Sequence, residues 1–167
     1  MNAVLSNTLR LLPMARQSVD AVLGIEQAAY EFPWTRGNFI DSIAADHVCR
    51  LLCDSRGNLL GYFVAMPGVD EVHLLNLSVA PAEQGRGHGR ALLDALLQIC
   101  EDRGADELWL EVRTSNERAL RMYRRFGFVT RGVRKRYYPA AGDTREDAVV
   151  MSIDIGAAPS GEPHALE

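Results

Sequence analysis

The spacing of hydrophobic positions along this chain changes repeatedly between the period of a helix and that of a strand. Helical spacing is clearest over residues 87–103, where Leu92, Leu96 and Cys100 share one face. Shorter stretches with the same period predict three more helices, over residues 18–31, 35–45 and 116–125. Ser18 and Thr35 are residue types that cap helix N-termini, and Pro33 separates the first two helices.

Short apolar runs between these helices predict strands. They cover residues 8–14, 48–54, 59–66, 72–79, 108–112, 128–136 and 149–155. The second and third runs are joined by residues 55–58 (SRGN), which are typical of a hairpin turn. Hairpins early in the chain and strand–helix–strand units later predict an α/β fold, with a mixed sheet and helices on both faces.

Length and composition are those of one globular domain. The 167 residues are 47% hydrophobic and 24% charged, an ordinary balance for a soluble protein. We assign residues 1–155 to the domain. Residues 156–167 lack a hydrophobic period and predict a disordered tail. No apolar run approaches the roughly 20 residues that span a membrane, and no signal peptide precedes the first strand, so we expect a cytoplasmic protein.

Charge and cysteine content exclude several classes of function. The net charge of −4 is too small to favour nucleic acid or an anionic membrane as a partner. Cys49, Cys53 and Cys100 do not have metal-ligand spacing and have no histidine beside them, which predicts buried, reduced thiols and no metal site. Cys49 and Cys53 lie an even number of residues apart in one predicted strand and should face the same side.

The most informative segment is the glycine-rich loop at residues 84–89 (QGRGHG), which leads from a predicted strand into a helix. Unpaired backbone N–H groups and the positive end of the helix dipole meet at such a junction, which therefore suits a phosphate or pyrophosphate. The loop lacks the ending of a Walker motif, and its glycine spacing differs from that of a dinucleotide-binding fingerprint. A connection without a ligand is the weaker interpretation, because so many turn residues exceed what a simple connector needs.

Residues 84–89 resemble the Q/R-x-x-G-x-G/A signature of the GCN5-related N-acetyltransferase (GNAT) superfamily. The resemblance implies the GNAT fold, with about seven strands flanked by four helices, and acetyl-CoA as cosubstrate. It implies that the loop amides hold the pyrophosphate and that the preceding strand binds the pantetheine arm. The cofactor-binding residues it predicts are Leu77, Ser78, Val79, Gly85, Arg86, Gly87, His88, Gly89, Arg90 and Asn116. His88 is otherwise expected to be a solvent-facing loop residue rather than a catalytic one.

A second block places a charged residue inside an apolar strand. Glu111 lies within the predicted strand at residues 108–112. A carboxylate in a central, buried strand is costly unless it is paired or functional. Two interpretations therefore stay open, a proton acceptor or a charge bonded to a nearby arginine or to the backbone. Tyr123 follows on the apolar face of the next helix, where ordinary core packing competes with a catalytic role.

Together these blocks resemble a bacterial branch of the superfamily, the ribosomal-protein-alanine N-acetyltransferases. The matching segments are residues 32–34 (FPW), the glycine loop, 108–116 (LWLEVRTSN), 137–139 (YYP) and 145–148 (REDA). The resemblance implies transfer of acetyl to the N-terminal alanine of the eighteenth small-subunit ribosomal protein. It assigns Glu111 as general base and Tyr123 as the acid that protonates the CoA thiolate. Gly85 and Arg136 depart from the family pattern, which puts one phosphate contact and the shape of the peptide cleft in doubt.

The expected chemistry is direct attack of an amine on the thioester, because Cys100 has no histidine near it to activate a thiolate. The expected partner is the N-terminus of a ribosomal protein, without a membrane or direct nucleic-acid contact. A lysine or small-amine acetyltransferase is the alternative enzyme. A non-catalytic acetyl-CoA-binding module is the alternative from another class, and the presence of both Glu111 and Tyr123 counts against it. Oligomeric state does not follow from the sequence.

Aromatic and basic residues near the end of the chain allow two interpretations. Tyr137 and Tyr138 are predicted to follow a late strand, where they either form the wall of an acceptor groove or pack at the strand end. Two groups of basic residues, one on the late strand and one on the last helix, are interpreted chiefly as solvated faces, and the alternative is contact with ribosomal RNA or a cofactor phosphate. They are Arg131, Arg134, Lys135 and Arg136, and Arg118, Arg121, Arg124 and Arg125.

Overall fold

A computed structural model describes residues 8–156 and contains one seven-stranded sheet. The strands are β1 (Arg10–Pro13), β2 (Val48–Cys53), β3 (Leu59–Pro67), β4 (Glu71–Val79), β5 (Glu107–Arg113), β6 (Val129–Pro139) and β7 (Arg145–Asp154). The helices are α1 (Val19–Ala29), α2 (Arg36–Ala44), α3 (His88–Asp102) and α4 (Glu117–Phe126). The predicted fold class is confirmed. The domain boundary at residue 155 stays a prediction, and the predicted tail lies outside the described residues apart from Gly156.

The two predicted helix caps have different outcomes. Thr35 caps α2, because its hydroxyl accepts the backbone N–H of Asn38 at 3.2 Å. Ser18 precedes α1 but makes no capping hydrogen bond to it. Its hydroxyl instead accepts the N–H of Ala15 at 3.2 Å, which closes a short 3₁₀ turn in front of the helix. The predicted start of α1 is therefore right, whereas the predicted cap is wrong.

The sheet order is β1-β2-β3-β4-β5-β7-β6. Only β4 and β5 are parallel neighbours among the described strands, and α3 provides the crossover between them. All other neighbouring pairs are antiparallel. The glycine loop follows β4 and the predicted catalytic carboxylate lies on β5, so the centre of the sheet is where the two sequence motifs meet.

Each face of the sheet carries its own apolar core. One core contains Leu92, Leu96 and Leu120 from α3 and α4 together with side chains of β3, β4 and β5. The other contains Val22 from α1 and Phe39 from α2. The cysteines are free and buried, as predicted. Cys49 and Cys53 belong to the α1–α2 core and Cys100 to the opposite one.

The hairpin of β6 and β7 is longer than predicted. Strand β6 continues to Pro139, so Tyr137 and Tyr138 lie within it and do not follow it. The register between the two strands shifts between Arg134 and Tyr138. Arg136 lies in this bulge with φ of 52° and donates its backbone N–H to Oδ1 of Asp147 at 2.8 Å. A bulge is hard to foresee from sequence, because the extra residue breaks the alternation that marks a strand.

Candidate active site

The site is built around a gap between the two parallel strands. Pairing of β4 with β5 ends at Leu74 and Leu110, although each strand continues for several residues. Beyond Leu74, β4 pairs only with β3, and the register shift there leaves Leu75 without a partner. The extra residue reverses the alternation of β4, so that Leu74 and Leu77 both pack on the α3–α4 side. Two clefts open at this gap.

The first cleft has a volume of about 710 Å³ and lies between the glycine loop, the end of β4 and α4. Every residue predicted to bind the cofactor lines it except one. The exception is Arg86, whose side chain is 65% exposed and pairs with Glu83 at 3.3 Å. The remaining lining residues are Ala29, Tyr30, Gln84, Arg118, Ala119, Arg121, Met122, Arg125 and Phe126.

Glycine is required at specific points of the loop. Gly85 and Gly87 have φ of 80° and 84°, in the left-handed region that other residues rarely adopt. A Cβ on Gly89 would lie 2.7 Å from the Sδ of Met122, so this glycine allows α3 to approach α4 closely. The first turn of α3 therefore faces the cleft with N–H groups that have no partner within the helix, as an anion site requires.

His88 corrects one prediction. It is the first residue of α3 and is buried, not a solvent-facing loop residue. Its Nε2 lies 3.5 Å from Oε2 of Glu83, and its buried Nδ1 has no hydrogen-bond partner among the described residues. The turn from the loop into α3 directs this side chain inward, which spacing alone did not reveal. A role toward the cofactor stays a prediction.

Arginines on α4 correct a second prediction. Arg118, Arg121 and Arg125 line the first cleft and do not form a purely solvated face, whereas Arg124 is absent from the lining. Nη1 of Arg118 donates to Oε1 of Gln84 at 2.9 Å, so α4 also contacts the loop. The spacing of three and four residues places these side chains on one side of the helix. The cleft thus has positive charge beside free backbone N–H groups.

The second cleft, of about 390 Å³, adjoins the first and shares five lining residues with it, among them Tyr30, Leu77 and Asn116. Both predicted catalytic residues, Glu111 and Tyr123, line it. The other lining residues are Glu26, Phe32, Pro33, Trp34, Asn38, Leu74, Leu75, Asn76, Leu110, Val112, Arg113, Ala119, Met122, Tyr138 and Pro139. The FPW segment and Tyr138 thus form part of its wall, as one of the two interpretations of the tyrosine pair predicted.

Glu111 and Tyr123 approach this cleft from opposite faces of the sheet. Tyr123 belongs to the α3–α4 core, together with Leu110 and Val112 of β5. Glu111 lies between Leu110 and Val112 in β5. Because successive side chains of a strand point to opposite faces, Glu111 points to the other face of the sheet. The gap between β4 and β5 brings both faces into one cavity. Sequence reasoning could not foresee this, because strand separation depends on the bulge in a different strand.

The carboxylate of Glu111 is almost buried, with a side chain 6% exposed, and both its oxygens have partners. Nε2 of His73 contacts Oε2, and the Arg134 guanidinium forms an ion pair with Oε1, its Nε lying 3.1 Å away. Arg134 had been expected to belong to a solvated face, and this contact corrects that expectation. Of its neighbours, Lys135 pairs with Asp147 at 3.5 Å and Arg131 with Asp154 at 3.7 Å. The bulge in β6 explains why simple alternation did not identify these partners.

Tyr123 is a phenol in an apolar setting. Its ring packs against Phe128 with centroids 5.5 Å apart. Burial, with smaller contributions from Tyr30 and Tyr138, raises the pKa of Tyr123 above its ordinary value. The hydroxyl therefore keeps its proton at neutral pH and is available as a donor.

A buried polar network, which sequence reasoning missed, supports the cleft from α1. Glu26 is 2% exposed and accepts hydrogen bonds from the hydroxyl of Tyr62, from Nδ2 of Asn76 at 3.1 Å and from the backbone N–H of Trp34 at 2.9 Å. Tyr30 donates to the carbonyl of Leu77 at 3.1 Å. A charged residue on the buried face of α1 was the available signal. The network links the FPW segment to the sheet and fixes one wall of the cleft.

A second set of contacts closes the opposite wall. Nη1 of Arg113 donates to Oε1 of Glu146 at 2.9 Å and to the carbonyl of Pro139 at 2.8 Å. Its guanidinium lies 4.5 Å from the ring centroid of Tyr138 and 5.2 Å from that of Phe32. Arg113 therefore connects the end of β5, the β6–β7 hairpin and the segment before α2, all of which border the second cleft.

Cys100 does not offer an alternative nucleophile. Its side chain is fully buried in the α3–α4 core. Burial raises the pKa of Cys100 to about 11, so the thiolate is scarce at neutral pH. Within residues 8–156, no group of three or more histidine, cysteine or acidic side chains could hold a metal ion. No helix in that range is long and apolar enough to cross a membrane.

Comparison with known proteins identifies the family. The model of the acetyltransferase (GNAT) family matches residues 19–128. The chain belongs to the GNAT family. As in that family, its activity is acetyl-CoA-dependent N-acetyl transfer, and the expectation of an enzyme rather than a binding module is confirmed.

Two sequence relatives of this GNAT chain and one solved structure are named as the same enzyme. The chain is 36% identical over 140 residues to the [ribosomal protein bS18]-alanine N-acetyltransferase of Haemophilus ducreyi, covering 84% of this chain and 96% of that protein. The Escherichia coli K12 enzyme of the same name is 37% identical over 135 residues, covering 81% and 90%. The crystal structure of the ribosomal-protein-S18-alanine N-acetyltransferase from Escherichia coli superposes with a TM-score of 0.81 at 33% identity, covering 96% and 99%.

Proposed function

We propose that this acetyltransferase acts on the N-terminal α-amine of a protein, and that its acceptor is the N-terminal alanine of ribosomal protein bS18. The observation that carries the proposal is the second cleft, where Glu111 and Tyr123 line one cavity from opposite faces of the sheet. The names and coverage of the relatives support the same acceptor.

Acetyl-CoA would occupy the first cleft. The N–H groups at the start of α3 suit its pyrophosphate, and Arg118, Arg121 and Arg125 supply positive charge for its phosphates. The thioester would then lie near Tyr30, Leu77 and Asn116, which border both clefts. Asn116 also holds the N-terminus of α4, since its Oδ1 accepts the N–H of Ala119 at 3.2 Å.

The acceptor would enter through the second cleft. Glu111, acting through water, would take a proton from the ammonium so that the neutral amine attacks the thioester carbon. Tyr123 would give its proton to the sulfur as the carbon–sulfur bond breaks. Base and acid on opposite faces fit this sequence, because the amine arrives from one side and the thiolate leaves toward the other.

An α-amine is the acceptor that suits this arrangement energetically. At pH 7, deprotonating an α-amine of pKa near 7.8 costs about 1.1 kcal/mol, whereas a lysine near 10.4 costs about 4.6 kcal/mol. A single carboxylate centre acting through water is adequate for the first and strained for the second. The phenol of Tyr138 and the ring of Phe32 border a cleft that is open enough for a peptide end.

The test is release of free CoA thiol with acetyl-CoA and two matched peptides. One copies the N-terminus of bS18 with a free α-amine and no lysine. The other has the same sequence with its α-amine blocked and one lysine added, and mass spectrometry locates the acetyl group. We expect acetylation of the α-amine only, and a loss of kcat on the order of 10²-fold in Glu111→Gln and Tyr123→Phe. Acetylation of lysine alone would contradict the proposed acceptor.

A further inference from the structure

Two residues that neither motif contains, His73 and Arg134, contact Glu111. His73 lies on β4, opposite Trp109 in the parallel register, and its Nε2 contacts Oε2 of Glu111. Its side chain is 25% exposed, whereas that of Glu111 is 6% exposed. The imidazole therefore lies between the buried carboxylate and solvent.

Arg134, the second partner of Glu111, opposes protonation of the carboxylate. Nε of Arg134 lies 3.1 Å from Oε1. A guanidinium keeps its charge at all working pH values, and a fixed positive charge stabilises an ionised carboxylate and opposes its protonation. A carboxylate held by Arg134 alone would be well positioned but a weak proton acceptor. An imidazole differs because it can gain and lose a proton near neutral pH.

We propose that His73 is a positioning residue that makes Glu111 and itself a single proton-accepting pair, an inference that rests on the function proposed above. In the proposed resting state, the pair shares one proton between Oε2 of Glu111 and Nε2 of His73, the two atoms that are in contact. Nδ1 of His73 has no hydrogen-bond partner in the described part of the chain and is free for a second proton.

The proton transfer balances as follows. An N–H bond of the acceptor ammonium breaks, its electron pair stays on nitrogen, and water carries the proton to the pair. The pair then consists of an imidazolium and a carboxylate, and its net charge changes from −1 to 0. Arg134 remains cationic throughout. His73 afterwards releases the proton to solvent, which its partial exposure permits.

The charges around His73 favour this step. Glu71 precedes it by two residues on β4, so it lies on the same face, and it is the register partner of Glu107 on β5. Glu107 accepts a hydrogen bond from the indole of Trp109 at 2.6 Å. An imidazolium at position 73 would thus contact Glu111 and share its face of β4 with Glu71, while Arg134 pairs with the other oxygen of Glu111.

Two substitutions of His73 test whether it only holds Glu111 in place or also accepts a proton. His73→Gln keeps an N–H donor for Glu111 but cannot take a proton, and His73→Ala removes both functions. We expect each to lower kcat on the order of 10²-fold, with the KM for acetyl-CoA unchanged because its cleft does not include His73. His47→Ala is the matched control, since His47 lines neither cleft and, unlike His73, does not contact Glu111, so it should keep wild-type kcat.

Chemical rescue of His73→Ala distinguishes a proton acceptor from a packing residue. Added imidazole should restore activity, whereas pyrazole, which has the same size but is a much weaker base, should not. Rates without enzyme are subtracted, because imidazole itself accepts acetyl groups. Equal rescue by both compounds, rescue by neither, or full activity of His73→Gln would overturn the proposal.

Failure of the proposed His73 role and failure of the proposed acceptor give different results. Loss of activity in Glu111→Gln together with full activity in His73→Ala would overturn the role of His73 and leave that of Glu111 intact. If the wild-type protein acetylates only lysine or small amines, the proposed acceptor is wrong. The His73 series would then be run on that acceptor, with the same expected and contradicting outcomes.

Discussion

At the scale of single residues, the site depends on polar side chains that are buried, whereas such side chains are usually exposed to solvent. Tyr123 is a phenol in an apolar core, and Glu111 is a carboxylate inside a sheet. Each is costly for folding and is kept where it lines the second cleft. Burial raises the pKa of Tyr123, which keeps its hydroxyl protonated at neutral pH.

Tyr123→Phe should therefore separate activity from stability. The ring and its contact with Phe128 remain, so we expect the melting temperature to change by no more than a few degrees. The kcat should fall on the order of 10²-fold, because only the proton donor is lost. Thermal unfolding followed by circular dichroism and steady-state kinetics on the same sample check this. A large drop in melting temperature would show that the hydroxyl is mainly structural.

A glycine in β3 provides a test of packing. A Cβ on Gly61 would lie 2.5 Å from the carbonyl oxygen of Ser78, a backbone atom that cannot move freely. We expect Gly61→Ala to destabilise the protein by about 1–3 kcal/mol, measured by urea unfolding. Gly132→Ala is the matched control in β6, since no atom lies within 4 Å of its Cβ position. Equal stability of the two variants would contradict the close approach of β3 and β4.

At the scale of elements, the β6–β7 hairpin pairs with β5 along its backbone, and one carboxylate adds side-chain contacts at the end of β5. Glu146 of β7 accepts hydrogen bonds from Arg113 at 2.9 Å, from Thr114 at 3.2 Å and from the backbone N–H of Ser115 at 3.0 Å. Partial burial acts to raise its pKa, but these hydrogen bonds outweigh it and lower the pKa of Glu146 to about 2. The hairpin carries Tyr138 and Arg134, so this attachment positions both beside the second cleft.

The lowered pKa makes this attachment sensitive to acid. Because the pKa of about 2 in the folded protein lies below the ordinary glutamate pKa of 4.5, Glu146 stabilises the fold above pH 4.5. That contribution is lost as the pH falls from 4.5 toward 2. We expect Glu146→Gln to be less stable than wild type at pH 7 and to lose less stability over the acid range. Melting temperatures from pH 7 to pH 2 check this, and parallel curves for the two proteins would contradict it.

At the scale of the whole molecule, two clefts meet where the parallel strands separate. The larger one lies against α3 and α4 and contains the arginines of α4, and the smaller one contains Glu111 and Tyr123, the proposed base and acid. Tyr30 and Asn116 border both, so cosubstrate and acceptor would meet there. Substitutions of residues that line only one cleft should leave binding in the other unchanged, because those side chains do not border the second cavity.

The arginines of α4 test this separation. Arg118→Ala should weaken acetyl-CoA binding about 10-fold or more, because it removes a charge-assisted contact and the hydrogen bond to Gln84. Arg124→Ala, on the same helix but outside the lining, should bind as wild type does. Calorimetric titration measures both. In thermal unfolding, acetyl-CoA at 100 times its Kd should stabilise wild type by about 2.7 kcal/mol, and the same concentration should stabilise Arg118→Ala less.

The sequence by itself determined the helices and strands, the order of the motifs and the family. Helical and strand periods persist in local segments, and the glycine loop of residues 84–89 is contiguous, so both can be read without tertiary structure. Helix α3 and strand β5 differ from their predicted ranges by only a few residues. The pair Glu111 and Tyr123 was also identified in advance, through family resemblance and through the cost of a buried carboxylate.

Only the tertiary structure decided which side chains meet. His73 and Arg134 reach Glu111 from strands that are far apart in sequence, and the contact of Arg134 depends on a bulge in β6. The inward direction of His88 follows from the turn into α3. The gap that joins both sheet faces depends on an extra residue in β4. Such long-range contacts depend on strand register and packing, which leave no periodic signal in the sequence.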